Sequence, residues 1–240
     1  NNLEIIEKGF QGQGLKNVSK KYLQSIKIPL PPLEVQKEIV EQIEVKQKAI
    51  EAAKAVIENL ERERRYFGQA IRKIEGVEWV EFEKIIKTIT PPAKIQKSKF
   101  GKVGKYPIID QSQESISGWT DDERLLVKVK NPVVIFGDHT CVVKYSEKQF
   151  VQGADGIKIL ETNEKLLPKF FYYFLKANPI ESEGYKRHFS KLRKIKIPLP
   201  SLETQKQLVA EMEEQEKIIE ANKKLVGIME QKISDVLSEI

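Results

Sequence analysis

Ile26-Lys27-Ile28-Pro29-Leu30-Pro31-Pro32-Leu33-Glu34-Val35-Gln36-Lys37 is spelled a second time as Ile195-Lys196-Ile197-Pro198-Leu199-Pro200-Ser201-Leu202-Glu203-Thr204-Gln205-Lys206. Ten of the twelve positions match without a gap, so the chain carries an internal repeat, and that repeat organises everything else. Each copy runs a basic, β-branched stub into Pro-x-Pro. Proline fixes φ, lacks an amide donor and biases the residue before it toward extended geometry, so the stub cannot continue as a helix. The first residue past the prolines can open one. Glu34 and Glu203 then place an acid in the first turn, where the helix dipole favours it. The repeated unit is an extended stub, a rigid elbow and a long helix.

Outward from the first elbow, residues 33–74 read as a single helix. With Gln36 at heptad position a, the a sites are Gln36, Ile43, Ile50, Ile57, Arg64 and Ile71, and the d sites are Ile39, Lys46, Ala53, Leu60, Phe67 and Ile74. Nine of the twelve are apolar, the signature of a coiled-coil seam. A helix about 60 Å long and this charged needs a partner along its length. The second elbow supplies one over residues 202–238, with a sites Gln205, Met212, Ile219, Val226, Ile233 and Ile240 and d sites Leu208, Gln215, Asn222, Met229 and Val236. Lys46, Arg64, Gln215 and Asn222 inside the seam weaken it but can fix register. A homo-oligomeric coiled coil is the competing arrangement. Two such helices in one chain, with a compact module between them, favour an intrachain antiparallel pair.

Between the helices the pattern changes. Strand-like runs occur at 79–82, 106–109, 125–129, 132–136 and 156–160. Turn signals at Pro91-Pro92, Gly118, Asn131-Pro132, Gly137-Asp138 and Gly153 separate them. Residues 168–175 read as a short aromatic-rich helix. The expected fold class is α+β: a globular β-rich module plus two long antiparallel coiled-coil helices. Ahead of the first elbow, Phe10-Gln11-Gly12-Gln13-Gly14 reads as a loop. It is followed by Lys16, Lys20, Lys21 and Lys27, a build similar to the basic stretch ahead of the second elbow.

Composition narrows the function classes. The 240 residues suffice for one large domain or two small ones. The single cysteine, Cys141, excludes an intrachain disulfide and suits a reducing compartment. No leader and no membrane-length apolar run is visible. Net charge is +6, and residues 78–200 hold 22 Lys and Arg against 15 Asp and Glu, which accounts for all of it and points to a polyanionic partner. No phosphate-binding loop is spelled. Gly12-Gln13-Gly14 and Gly101-Lys102-Val103-Gly104 open no helix, and the Asn-Pro-Pro-aromatic signature of adenine methylation is absent. His139 and Cys141 lack a second close pair for zinc. On a strand they would simply share a face, so a buried structural thiol is the simpler reading than a nucleophile and base. Asp121-Asp122-Glu123 fits a solvated turn better than a metal site.

What is present suits DNA. One cluster holds Lys94, Lys97, Lys99, Lys102 and Lys105 with no acid among them; another holds Lys186, Arg187, His188, Lys191, Arg193 and Lys194. Cations at this density neutralise phosphates. Base edges are read by polar side chains, and the loop at 111–120 offers Gln111, Ser112, Gln113 and Trp119, the turn at 137–140 His139 and Thr140. Each of these features also has a plain reading as a solvated loop or polar hairpin. Two clusters on one module favour DNA.

The doubled Ile-Pro-Leu-Pro-[Pro/Ser]-Leu-Glu-x-Gln-Lys elbow, the helix after each copy and the β-rich module between them resemble the specificity subunit of type I restriction–modification systems. Phe136-Gly137-Asp138-His139-Thr140 and Gly153-Ala154-Asp155-Gly156-Ile157-Lys158-Ile159-Leu160 also resemble stretches of that family's target recognition domains. The resemblance covers nearly the whole chain. It implies a non-catalytic DNA-recognition subunit of the bacterial or archaeal cytoplasm, with no membrane association. Each recognition domain would read half of a bipartite double-stranded DNA site. The helices would act as a ruler between half-sites and dock methyltransferase and restriction subunits. S-adenosylmethionine, Mg2+ and ATP would bind in those partner subunits and not in this chain. Mapped on these residues, 1–25 match the end of a first recognition domain, 26–75 a central spacer, 76–196 a recognition domain and 197–240 a distal spacer. Most of a first recognition domain has no counterpart here, so either a second, unlike domain or a second copy of the chain would complete the site. Two rival functions remain at this level: a coiled-coil adaptor whose module binds protein, and a nuclease using Asp121, Asp122 or Glu123 with a metal.

Overall fold

The computed structural model describes residues 10–11, 17–26, 30–129, 132–154, 156–184 and 186–238. Gly12-Gln13-Gly14, Lys16, Lys27, Asn131, Asp155 and Ile240 lie outside the described residues. The chain divides into two compact units, residues 1–59 with 218–240 and residues 60–217.

In the first unit β1 (Phe10–Gln11) pairs antiparallel with β2 (Asn17–Val18), so the loop expected at Phe10-Gln11 is a strand. Helix α1 (Lys20–Ser25) follows, capped by the Ser19 hydroxyl, which accepts the Tyr22 N–H at 3.1 Å. Here begins α2 (Leu33–Arg72), and here ends α6 (Leu202–Ser238). Ile50, Ala53 and Ile219 are buried, and Lys54 pairs with Glu230 at 3.5 Å on the surface.

The seam predicted by the heptad count is the seam observed. All twelve positions from Gln36 to Ile74 are buried or half-buried, and elsewhere on α2 only Ala49 and Gly68 are sheltered. The ten described seam positions of α6 are sheltered too. The helices are antiparallel: Arg64 meets Glu216, and Lys54, ten residues earlier, meets Glu230, fourteen residues later. The polar seam positions divide by role. Arg64 (3.5 Å from Glu216) and Gln215 (3.4 Å from Glu63) pair across the helices. Asn222 and Lys46 instead bond back to carbonyls of their own helix, at Ile218 and Gln42.

In the second unit four strands, β4 (Ile86–Ile89), β10 (Ile157–Thr162), β7 (Val133–Gly137) and β8 (Val143–Ser146), form an antiparallel sheet in that order. Strand β7 is buried at every residue because the sheet is covered on both faces. The two-residue period sorts its side chains: Val134 and Phe136 join the core under α4 (Pro168–Ala177), while Val133 and Ile135 pack with Ile109, Phe150, Ile157 and Ile159 on the other side. Proline opens α4 at its first turn, where its missing N–H costs nothing, and Phe170, Phe171, Tyr173, Phe174 and Leu175 are all buried. A second sheet, β6 (Gly118–Thr120), β5 (Tyr106–Ile109) and β9 (Val151–Gln152), encloses a small core of Ile95, Ile108, Leu126 and Val151.

The second stub becomes β11 (Lys196–Leu199), which pairs antiparallel with β3 (Glu78–Glu81), Pro198 opposite Trp79. The chain therefore enters and leaves the module side by side. This brings the end of α2 and the start of α6 together. Ser201, the elbow position that is Pro32 in the first copy, caps α6: its hydroxyl accepts the Thr204 N–H at 3.1 Å.

Three further local expectations fail. Gly118, read as a turn, opens β6 and pairs with Ile108. Residues 125–129 are not a strand. Asp122 caps a single 3-10 turn, Glu123–Leu125, and the chain leaves it with only an isolated bridge from Leu126 to Val151. The apolar run there signals burial, not a ladder. Cys141 is not on a strand either. It closes the turn after β7 at φ 58°, its N–H bonded to Gly137 O at 2.8 Å, and burial pushes its thiol pKa up.

Candidate nucleic-acid interface

The site is built around Asp138, which is 4% exposed at the end of β7. Its N–H donates to Gly156 O at 2.6 Å, and its carbonyl accepts the His188 N–H at 2.7 Å. Its carboxylate Oδ1 accepts the Phe189 N–H at 2.8 Å, at the start of the short helix α5 (Phe189–Leu192). On the other side the Thr140 hydroxyl donates to Gln111 O at 2.8 Å, and the His139 N–H reaches Gln111 Oε1 at 3.3 Å. The Gln111 amide lies against Gly156, which has φ 98°. The backbone conformation favours glycine, and a Cβ there would come within 2.7 Å of that amide and displace the Gln111 side chain. Three stretches far apart in sequence, the 111–120 loop, the 137–140 turn and the basic run from 186, thus meet at one point.

Beside that point lies a concavity of about 390 Å³ whose lining includes Thr88, Thr90, Lys94, His139, Lys158 and Arg187. Lys94, His139 and Arg187 belong to the residues singled out by sequence. Lys158, Thr88 and Thr90 do not. The strand period puts Lys158 on the sheet face of Leu160, opposite Phe136 and away from the buried Ile157 and Ile159; that face is covered farther along the strand, and only the fold shows that Lys158 is half-buried at its uncovered start. Its Nζ stands 5.2 Å from the centre of the Phe189 ring.

The other predicted residues are placed as follows. Lys97 and Lys99 lie on an exposed 3-10 turn, and Lys102 is exposed just after it. Lys105 is exposed with its Nζ 5.0 Å over the Tyr106 ring, and a hydrogen bond to Tyr106 raises its pKa. Of this cluster only Lys94 lines the concavity. Lys186 is exposed, its carbonyl 3.1 Å from His139 Nδ1. Lys191 pairs with Glu183 at 2.7 Å and Arg193 pairs with Glu83, so part of the second cluster's charge is already matched. Gln113 is exposed at the tip of its loop. Ser112 faces inward, its N–H on Asp110 Oδ1 at 2.9 Å and its hydroxyl 3.1 Å from that of Ser117. Trp119 is half-buried on β6, bridged to Gly101 through both main-chain groups. His188 is 1% exposed and does not belong to the basic surface in which the sequence placed it.

The 111–117 loop is held from below by a buried ion pair. Lys144, 8% exposed, lies 3.8 Å from Asp110 and donates to Glu114 O. Burial pulls the Lys144 pKa down against the attraction of Asp110 and Glu114. For Asp110 burial opposes ionisation, but hydrogen bonds from Ser112 and Ser117, with Lys144 nearby, win and leave its carboxyl below the ordinary value. Asp121 accepts the Lys105 N–H at 2.8 Å, and Asp122 accepts from Arg124, which pulls its carboxyl down. Among the described residues no group of three or more His, Cys, Asp or Glu side chains is arranged to hold a metal, and no helix is long and apolar enough to cross a membrane.

An α+β module carried on two long antiparallel helices is the architecture of several solved proteins. The structure matches a type I restriction–modification S subunit from M. genitalium with a TM-score of 0.69 at 16% identity, covering 98% of this chain and 68% of that one. It matches the HsdS subunit from Thermoanaerobacter tengcongensis with a TM-score of 0.52 at 17% identity, covering 98% and 66%. A third match, from work on complex assembly and conformational transition of the type I R-M system, has a TM-score of 0.57 at 16% identity, covering 99% and 67%. The chain thus spans about two thirds of the length of each. The family profile described as type I restriction modification DNA specificity domain matches residues 1–62 and 75–228. This chain belongs to that family, the non-catalytic specificity subunits of type I restriction–modification systems. No curated protein sequence matches it.

Proposed function

We propose that this chain reads one half of a bipartite double-stranded DNA site through its β-rich module. In this account α2 and α6 set the distance to the other half and hold the methyltransferase and restriction subunits. S-adenosylmethionine, ATP and Mg2+ bind in those partners. One observation carries the proposal: the 111–120 loop, the 137–140 turn and the basic run from 186 converge at Asp138, beside a concavity lined by Lys94, Lys158, Arg187 and His139. Cations at the rim of a polar hollow suit a phosphate backbone, and the adjoining loops offer amide and hydroxyl groups suited to base edges.

The test is a methylation map. The chain, in its full gene context, is expressed with its methyltransferase partner in a methylation-free host, and modified bases are located by sequencing. A bipartite motif is expected. An inverted repeat means two copies of the module, and unlike halves mean two different modules. An assembled complex that leaves no modified motif overturns the proposal and favours a protein-binding adaptor. A second arm measures the salt dependence of DNA binding. Replacing Lys94, Lys158 and Arg187 together with glutamine lowers the slope of log K against log salt by about 0.9 for each phosphate that is no longer neutralised. Charge reversal of Lys97, Lys99 and Lys102 flattens it further, and an unchanged slope removes that turn from the interface.

A further inference from the structure

His188 has both ring nitrogens engaged in the interior. Nδ1 lies 3.1 Å from Asp138 O, and Nε2 accepts the Glu183 main-chain N–H at 2.9 Å. The partners dictate the tautomer. A main-chain N–H can only donate, so Nε2 must carry the lone pair. A carbonyl can only accept, so the ring proton sits on Nδ1. This neutral imidazole therefore spans from the 137–140 turn to the loop that carries Lys186 and Arg187. His139 Nδ1, bonded to Lys186 O, ties the same two segments at the surface.

We propose that His188 is a positioning residue for DNA reading, a neutral-imidazole latch that holds the Lys186 and Arg187 loop against the 137–140 turn. The proposal rests on the DNA-reading function put forward above and adds the device that keeps the two contact segments in one geometry. An imidazolium has no lone pair. Protonation would abolish the bond from Glu183 and set its N–H against another N–H. The charged groups around the ring do not replace that bond. The Asp138 carboxylate on the turn already holds the Phe189 N–H. Glu183, on the ring's own loop, is paired with Lys191 of α5. Lys186 and Arg187 on the loop add positive charge, and His139 on the turn supplies no anion.

The latch predicts an inverted pH dependence. A basic protein that takes up protons ordinarily binds DNA more tightly. Here affinity falls toward acid, because a proton on Nε2 removes the acceptor of the Glu183 N–H. The experiment measures affinity of the full chain for a labelled random-sequence duplex from about pH 8 to about pH 5 at fixed salt. Wild type is expected to lose at least about tenfold toward acid, because the segment that leads from Glu183 to Arg187 loses its bond to the ring and is held only by His139 and by the main chain of His188. His188→Gln supplies one amide donor and one amide acceptor and does not titrate. It should bind within about threefold of wild type at the alkaline end, with the acid loss removed. His139→Gln, whatever its affinity, should keep the acid loss. An acid loss that persists in His188→Gln, or vanishes instead in His139→Gln, overturns the latch, as does a wild-type profile that is flat or rises toward acid.

Hydrogen exchange at the Glu183 amide of the wild-type chain reads the latch without any variant. Protection at alkaline pH that disappears toward acid is expected, and an amide unprotected throughout refutes it. Absence of any duplex binding at the alkaline end would sink the DNA-reading function itself, while the exchange measurement would still report on the latch.

Discussion

Replacing Gln205 with leucine should remove a clamp that its counterpart in the repeat, Gln36, does not form. Gln205 is fully buried. Its Oε1 accepts the Leu167 N–H at 2.8 Å, and its Nε2 donates to Lys165 O and Pro200 O, each at 2.9 Å. It therefore joins the elbow, the first turn of α6 and the turn that leads into α4. Gln36 makes the corresponding elbow bond, Nε2 to Pro31 O at 2.7 Å, but it is half-exposed. Leucine preserves apolar volume and leaves the half-buried Leu167 N–H without its partner, which costs about 1–3 kcal/mol. Two carbonyls also lose a donor, though each has a second lone pair. The expected total is about 2–4 kcal/mol for Gln205→Leu and under about 1 kcal/mol for Gln36→Leu, where water can take over.

Tryptophan fluorescence in a urea titration provides the assay, because both tryptophans, Trp79 and Trp119, lie in the 60–217 unit. With a slope of about 2 kcal/mol per molar, the midpoint for Gln205→Leu falls by roughly 1–2 M. Gln36→Leu should leave it in place. The reasoning is refuted if Gln205→Leu stays within about 1 kcal/mol of wild type, or if Gln36→Leu moves the midpoint as far.

Other perturbations probe the loop support and the ruler. Asp110→Asn should cost about 1–2 kcal/mol at neutral pH, because Lys144 stays buried without its counter-charge. The Asp110 carboxyl is held below its ordinary value in the folded state, so the stability it supplies is complete above the unfolded pKa, about 4, and is lost as pH falls through the lower folded value. The difference between wild type and variant should shrink in that acid window, and a difference constant down to the acid limit would remove Asp110 as its source. Inserting four residues beside Ala53, a buried seam position on α2, lengthens that helix by about 6 Å. The gap in the methylated motif should widen by about two base pairs, and a motif with the original gap would dispose of the ruler.

Much of the architecture is legible because it follows from local rules. The second Pro-x-Pro elbow, the single helix after each copy and the seam from Gln36 to Ile74 depend on φ restriction and a seven-residue period, both carried by neighbouring residues; Ile28 and Pro29 of the first elbow lie outside the described residues. The outer strands β4, β8 and β9 and the short β6 were not legible. Each is two to four residues long; β4 and β9 acquire partners only when distant segments meet, as Ile89 meets Ile159 and Val151 meets Ile108, while β8 and β6 are short returns onto β7 and β5. The run at 125–129 misled for the converse reason: burial demanded apolar residues there while the Asp122 cap denied them a ladder.

The candidate interface divides along the same line. Sequence alone determined which segments are basic and polar, that the chain spells its elbow twice and that the module lies between two helices with coiled-coil seams. These are properties of composition and short-range order. That the two helices pair with each other was settled by the contacts of Lys54 with Glu230 and Arg64 with Glu216. Only the tertiary structure decided that Lys158 joins Lys94 and Arg187 at one concavity, that Lys191 and Arg193 spend their charge on Glu183 and Glu83, and that His188 belongs to the interior. A side chain's charge is written in the chain. Whether that charge is matched, buried or presented depends on neighbours 50 or 110 residues away, as with Asp138 and His188 or Glu83 and Arg193, and those are chosen by packing.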